Sequence, residues 1–193
     1  MMKRTMSALL LGLLLAAPAL HAAPLALGTA MPLPDQAMKN VDGSMVTLQK
    51  AAGAKGTLVI FACNHCPWVQ AWQDRIAAIG NEAMKQGVGV VMVNSNDPKA
   101  FPTDGFAEMV ERAKQVGYQF PYVVDEGSKL ARAFGATHTP EAFLFDKSGK
   151  LVYHGTVDDN AQNPEAVTKH FLKDAVEAVA AGFGLGCGIK YQS

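Results

Sequence analysis

Cysteine is scarce in this chain of 193 residues: there are three, at 63, 66 and 187. That is too few for a small scaffold stapled by disulfides, and the odd count leaves one without a partner inside the chain. No second Cys-x-x-Cys and no paired histidines complete a set of four zinc ligands. The position after Cys66, where covalent haem attachment needs histidine, holds Pro67. An excess of charge is also missing, with 17 Lys+Arg against 17 Asp+Glu. Nothing in that balance points to nucleic acid or an anionic membrane surface. Long hydrophobic runs are absent as well. Met6 to Ala17 is about a dozen apolar residues, too short to span a bilayer.

What that run does fit is an export signal. Lys3 and Arg4 form a positive start, the apolar segment follows, and Leu20-His21-Ala22 offers small residues for cleavage before Ala23. No cysteine follows the apolar segment, so a lipid anchor is not expected. The expectation is a signal peptide over residues 1–22 and a periplasmic or secreted product without a membrane anchor. Its basic residues leave with it, so the mature chain turns slightly acidic. A single domain over 23–181 and a glycine-rich tail over 182–193 complete the division.

Along the chain, Ala37 to Leu48 reads as a hairpin around Asp42-Gly43. Thr57 to Phe61 is a short apolar run, β-branched at Val59 and Ile60, and reads as a buried strand. A helix follows from about Cys66 to Gln86, its stripe made by Val69, Trp72, Ile76, Ile79 and Ala83, with Gly87 where a C-cap belongs. Val88 to Val93 is a second buried strand, closed by the turn formers Asn94 to Pro98. Asp104 is placed to cap a helix ending near Gly117, and Ser128 to cap a short one ending at Gly135. Pro121 to Val124, Glu141 to Phe145 and Leu151 to Tyr153 read as strands. Asn163-Pro164-Glu165 signals the start of a final helix carrying Val167, Phe171, Ala175 and Val179. Strands alternating with helices and closing on a hairpin give an α/β domain, a mixed central sheet with helices on both faces.

The chemistry sits where the first long strand meets its helix. Cys63-Asn64-His65-Cys66 places a dithiol beside unsatisfied helix N–H groups and the positive end of the dipole, which favour thiolate over thiol. Such a pair performs thiol–disulfide exchange: attack, mixed disulfide, resolution. A structural disulfide is the poorer reading, since so small a loop constrains little chain entropy. His65, between the cysteines, would stabilise a thiolate further and make the disulfide a stronger oxidant. Trp68 is a candidate for a substrate rim and Trp72 for core packing. His138 could line the site or face solvent. Asp125-Glu126 and Asp158-Asp159 read as solvated turns.

This order of elements, with Cys-x-x-Cys at the strand–helix junction and Thr139-Pro140 before a β-hairpin, resembles the thioredoxin-like superfamily. The hairpin before the first strand and the insertion from Asn94 to Tyr122 are similar to its redoxin and peroxiredoxin-like branch. The resemblance implies a thioredoxin-like fold and an oxidoreductase that needs no organic cofactor and no metal. Its substrates would be protein thiols and disulfides, with a separate redox partner to recycle it. It further implies that Cys63 is an exposed attacking thiol and Cys66 a buried resolving one. Pro140 would be a cis-proline beside the dithiol, with Thr139 positioning a bound peptide. The chain departs from both parent patterns. Thioredoxins carry a buried acid six residues ahead of the first cysteine, where Thr57 stands. If Cys66 matched the peroxidatic cysteine of peroxiredoxins, Val59 and Cys63 would replace their Pro and Thr. Thiol peroxidase and a non-catalytic binding module are therefore the alternative readings. Cys187 is expected far from the dithiol, because a final helix of roughly 18 residues spans about 27 Å and the tail returns at most about 17 Å.

Overall fold

The structure, a computed structural model, describes residues 25–183; the expected signal peptide and Cys187 lie outside the described residues. At its centre is β3 (Gly56–Phe61), buried along its whole length. It pairs in parallel with β4 (Val88–Asn94) and antiparallel with β6 (Glu141–Asp146). β5 (Tyr122–Val124) lies parallel to β4 on its other side. β1 (Met38–Asn40) and β2 (Met45–Val46) form the hairpin beyond β5, and β7 (Leu151–Gly155) closes the opposite edge. The order β2-β1-β5-β4-β3-β6-β7 makes one mixed sheet of seven strands.

Apolar residues on successive positions of β3 serve opposite faces, so the whole run is apolar rather than alternating. Leu58, Ile60 and Ala62 pack into the layer holding Ile76 and Ala83 of α2 (Pro67–Lys85), Met109 of α3 (Phe106–Val116) and Leu172 and Val176 of α5 (Phe171–Ala180). Val59 and Phe61 face the layer with Leu48 of α1 (Leu48–Ala51) and Leu130 and Phe134 of α4 (Lys129–Phe134). Phe61, Phe134 and Phe143 meet edge to face there. The α1 turn, capped by the Thr47 hydroxyl, was not foreseen from the sequence.

Four local expectations are corrected. The final helix starts at Phe171, not at Asn163. Asn163 does cap, but only a single 3-10 turn over Pro164–Ala166, after which Val167 is extended. Asp159 takes the reason away from a longer helix: its carboxylate accepts from the amides of Thr168 and Lys169, which a helix would have used. Asp104 does not cap α3, whose N-cap is Gly105 without a side-chain bond; the carboxylate turns inward. Ser128 does not cap α4 either. Asp125 does, accepting from the amides of Leu130 and Ala131, while the Ser128 hydroxyl donates to Ser95 O. Nor are Asp125 and Asp158 solvated: both are buried, and Asp158 accepts from Trp72 Nε1 and Arg75. Trp72 is thereby fixed against the core as expected.

The last helix runs away from the dithiol. The Leu172 amide donates to Val157 O near the end of β7 that carries Gly155, and Val179 packs at Gly56, where β3 begins. Among the described residues, no helix is long and apolar enough to cross a membrane.

Candidate active site

The dithiol lies on the loop that leaves the end of the central strand β3, just before the first turn of α2. β3 ends at Phe61, α2 begins at Pro67, and Cys66 is its N-cap. Pro67 explains the start point: its fixed φ suits a first helical position and its missing N–H costs nothing there. Cys63 therefore stands three residues before the cap, on the approach loop. Both cysteines are free thiols, and both reach Thr139. Cys63 Sγ lies 3.4 Å from the Thr139 hydroxyl, and the Cys66 thiol donates to Thr139 O at 3.2 Å. The Thr139-Pro140 peptide is cis. Sequence elements 73 residues apart thus meet at one point.

Accessibility is the reverse of the expected pattern. Cys63 is 2% exposed, whereas Cys66 is only half-buried. Burial pushes the Cys63 thiol above its usual value of 9.0; the Thr139 hydroxyl pulls it back, and the negative charge of Asp104 adds to the rise. Cys66 borders a groove with His65, Phe61, Phe101, Thr137, His138 and Thr139. Trp68 is not part of that lining. It is exposed on the first turn of α2, its ring 6.2 Å from that of Trp72. His138 is exposed and 3.4 Å from the buried Glu141 carboxylate, which also accepts from the amides of Thr137 and His138 and pairs with His154 at 2.6 Å. Glu141 so anchors the loop that presents Thr139.

The two residues between the cysteines have separate attachments. Asn64 is buried and fully bonded: its amide group donates to Thr103 O and accepts from the Tyr122 hydroxyl, and its carbonyl accepts from Gln70. His65 leads to the residue that sequence reasoning missed. Asp104 is buried, and its Oδ1 accepts from the amides of Asn64 at 2.7 Å and His65 at 3.1 Å. Its Oδ2 accepts from His65 Nδ1 at 2.6 Å and Asn96 Nδ2 at 2.8 Å. Phe101 stacks flat on the His65 ring, centroids 4.3 Å apart. No local signal distinguished Asp104 from a helix cap, since an acid before a helix is the commonest of caps. Thr57, by contrast, is buried at the far end of β3 opposite Gly89 and Phe145.

Cys63, His65 and Asp104 also bring a sulfur, an imidazole nitrogen and a carboxylate oxygen within 4.8 Å of one another. Asp104 already accepts four bonds, so a cation would have to displace one of its donors. The donor set fits a hydrogen-bonded scaffold for the dithiol loop better than an open metal site.

A mixed sheet covered on both faces, with two cysteines at the strand–helix junction facing a cis-proline, defines a thioredoxin-like redox domain. The chain belongs to the Redoxin family, whose profile matches residues 27–170. It is 26% identical over 116 residues to the thiol-disulfide oxidoreductase ResA of Halalkalibacterium halodurans, spanning 60% of this chain and 61% of that protein. To ResA of Geobacillus thermodenitrificans it is 29% identical over 141 residues, 69% of this chain and 75% of that one. Two crystal structures share 34% of the sequence. One is an uncharacterized conserved protein from Geobacillus kaustophilus, with a TM-score of 0.77 over 86% of this chain and 93% of that chain. The other is a hypothetical protein from Sinorhizobium meliloti 1021, at 0.78 over 89% and 97%.

Proposed function

We propose that this chain is an exported thiol–disulfide oxidoreductase that works by dithiol/disulfide exchange at Cys63-Asn64-His65-Cys66. One observation carries the reading: both thiols converge on Thr139, beside the cis Pro140 and at the head of a groove. A disulfide-bearing protein segment laid along that groove would meet a thiol at one end of it. The relatives named as thiol-disulfide oxidoreductases support the same chemistry. Protein thiols and disulfides are the substrates, Thr139 and Pro140 position them, and a redox partner resets the pair. Trp68 remains a candidate for contact with a larger substrate beside the groove. His65, held by Asp104 and close to Cys63, tunes the pair toward a more oxidising potential.

The reduction potential of the 63/66 pair tests this, measured against glutathione alongside insulin reduction and peroxide consumption on one sample. Exchange with glutathione and insulin at rates far above a free thiol is expected. Replacing His65 by Pro should lower the potential, and an unchanged potential removes His65 from the mechanism. Thiol peroxidase is the second reading, supported by Cys66 at a helix N-cap and weakened by Cys63, which stands three residues before it where peroxiredoxins carry Thr. It replaces the first if hydrogen peroxide oxidises the reduced protein much faster than it oxidises a free thiol. A binding module without catalysis follows if Cys63→Ser loses no activity and still holds a partner. Export is tested by fractionating cells and finding the protein, shortened at its N-terminus, outside the cytoplasm.

A further inference from the structure

Exchange at this pair leaves one proton without an acceptor. At rest Cys66 is a thiol, and its Sγ–H donates to Thr139 O at 3.2 Å. In the order that the family resemblance implies, Cys63 attacks and Cys66 must then ionise to resolve the mixed disulfide. The strand acid of thioredoxins is missing, since Thr57 stands in its place, buried at the far end of β3. Among the described residues, the other titratable groups bordering the groove beside Cys66 are His65 and His138. Asp104 and Cys63 complete the surroundings of His65, within 4.8 Å of a ring nitrogen.

His138 is loosely placed. Its side chain is 62% exposed, with Nδ1 3.2 Å from the Thr137 hydroxyl and 3.4 Å from the Glu141 carboxylate. His65 is held on three sides. Its amide and its Nδ1 both donate to Asp104, at 3.1 and 2.6 Å, and the Phe101 ring lies parallel to it at 4.3 Å. The carboxylate can only accept, so Nδ1 carries the hydrogen and Nε2 keeps its lone pair in the neutral ring. No described residue bonds Nε2, and the His65 side chain stays 34% exposed where it borders the groove. A proton acceptor is thus fixed one residue from the thiol that must lose its proton.

Resting on the exchange function proposed above, we infer that His65, held by Asp104, is the base that takes the Cys66 proton during resolution. The Cys63 thiolate first attacks the substrate disulfide. One substrate sulfur leaves and takes a proton from solvent, while the other stays bonded to Cys63. Cys66 Sγ–H then passes its proton to His65 Nε2, directly or across one water. The Cys66 sulfur attacks Cys63 Sγ, the mixed disulfide breaks, and the second substrate sulfur departs with the proton that Nε2 returns. A 63–66 disulfide has formed, two electrons have moved to the substrate, and the ring is neutral again. A dithiol reductant then resets the pair. Asp104 is a positioning residue in this scheme: it decides which ring nitrogen faces the groove and balances the charge of the transient imidazolium.

Stopped-flow reaction of the reduced protein with one equivalent of dithiobis(nitrobenzoate) reads the two steps apart, in a Cys187→Ser background that leaves only the dithiol. The first release of the coloured thiolate marks the mixed disulfide and the second marks resolution. An ordinary thiol is about 3% ionised at pH 7, so a base can gain at most about thirtyfold there. His65→Gln should slow the second phase about tenfold at pH 7, and the gap should close by about pH 10, where thiols ionise unaided. Any effect of His65 on the Cys63 thiolate falls in the first phase. Asp104→Asn should slow the second phase with the same closing of the gap, and His138→Gln should slow it less than His65→Gln. A second phase in His65→Gln equal to wild type at pH 7 overturns the inference. So does a gap that persists unchanged at high pH, the mark of a displaced loop rather than a lost base, or an equal slowing in His138→Gln. A wild type that stops after one release strikes the exchange function and the base with it, whereas a resolving wild type matched by His65→Gln strikes only the base.

Discussion

Removing the Asp104 side chain should loosen the dithiol loop by a calculable amount. In Asp104→Ala four acceptor contacts vanish together. The side-chain donors, His65 Nδ1 and Asn96 Nδ2, can turn toward solvent, so their loss is cheap. The amides of Asn64 and His65 cannot turn. Asn64 is 5% exposed and held by three further bonds, so its N–H would stay buried without a partner. The stranded buried donor of Asn64 costs about 1–3 kcal/mol and the part-buried amide of His65 less, which puts the variant about 3 kcal/mol below wild type. At about 2–4 °C per kcal/mol for a chain of this size, the midpoint falls by about 6–12 °C. Asp104→Asn is the graded control. Its amide oxygen can keep both backbone bonds, and Asn96 can flip to face its NH2, so the cost is about 1–2 kcal/mol. Burial is the main cause of the raised Cys63 thiol, and both variants remove the Asp104 charge that adds to it. Cys63 should therefore ionise at lower pH in each, read from iodoacetamide rates across pH. Thermal scans and urea melts give the stabilities. Equal stability of the two variants, or Asp104→Ala within about 1 kcal/mol of wild type, would refute the view that Asp104 organises the loop through its backbone bonds.

Other perturbations follow from the same geometry. Burial raises the Glu141 carboxyl, but bonds from His154 and from the amides of Thr137 and His138 outweigh it and leave it below 4.5. A depressed carboxyl adds stability that is full above about pH 4.5 and lost as pH falls through the folded value. Glu141→Gln should lower stability at neutral pH, and its gap to wild type should close on acidification; a gap constant with pH in chemical melts would contradict this. At Gly89 a Cβ would lie 1.9 Å from Ala51 O, and at Gly80 2.3 Å from the Phe120 ring. A ring can shift and backbone cannot, so Gly80→Ala should cost about 1–3 kcal/mol and Gly89→Ala more, read in urea. Phe101→Ala strips the ring stacked on His65 and should cost about 1 kcal/mol. It should also make the measured potential of the dithiol more sensitive to salt, as solvent reaches the imidazole.

The sequence made the sheet easy to read and the site only half so. Long buried strands announce themselves, because Leu58 to Phe61 and Val88 to Val93 must be apolar on both faces. The cis-proline and the dithiol were legible as motifs. Helix starts were not, and the reason recurs. At Asp104, Ser128 and Asn163 a capping residue type stands at the right place, yet only Asn163 caps anything. The carboxylate of Asp104 is claimed by amides 39 and 40 residues away, and that of Asp125 takes over the capping of α4. Local grammar cannot foresee a bond whose partner is supplied by the fold.

The same limit explains why the exposure of the two cysteines was expected in the opposite order. Spacing identifies a dithiol and the helix that follows it from about Cys66, but not how deeply the fold buries each sulfur. Counting six residues back from Cys66 rather than Cys63 reaches Ile60, also buried and apolar, so neither register supplies the acid of thioredoxins. The carboxylate arrives instead from the segment before α3, reaching the loop between the thiols rather than the strand beneath them. An acid under the strand could take a proton from the second cysteine. One tied by two amides and an imidazole is better suited to hold the loop and bias the charge of its neighbour. On this geometry the acid beside the dithiol is Asp104, bonded to the loop between the thiols, while Thr57 stands buried at the far end of β3.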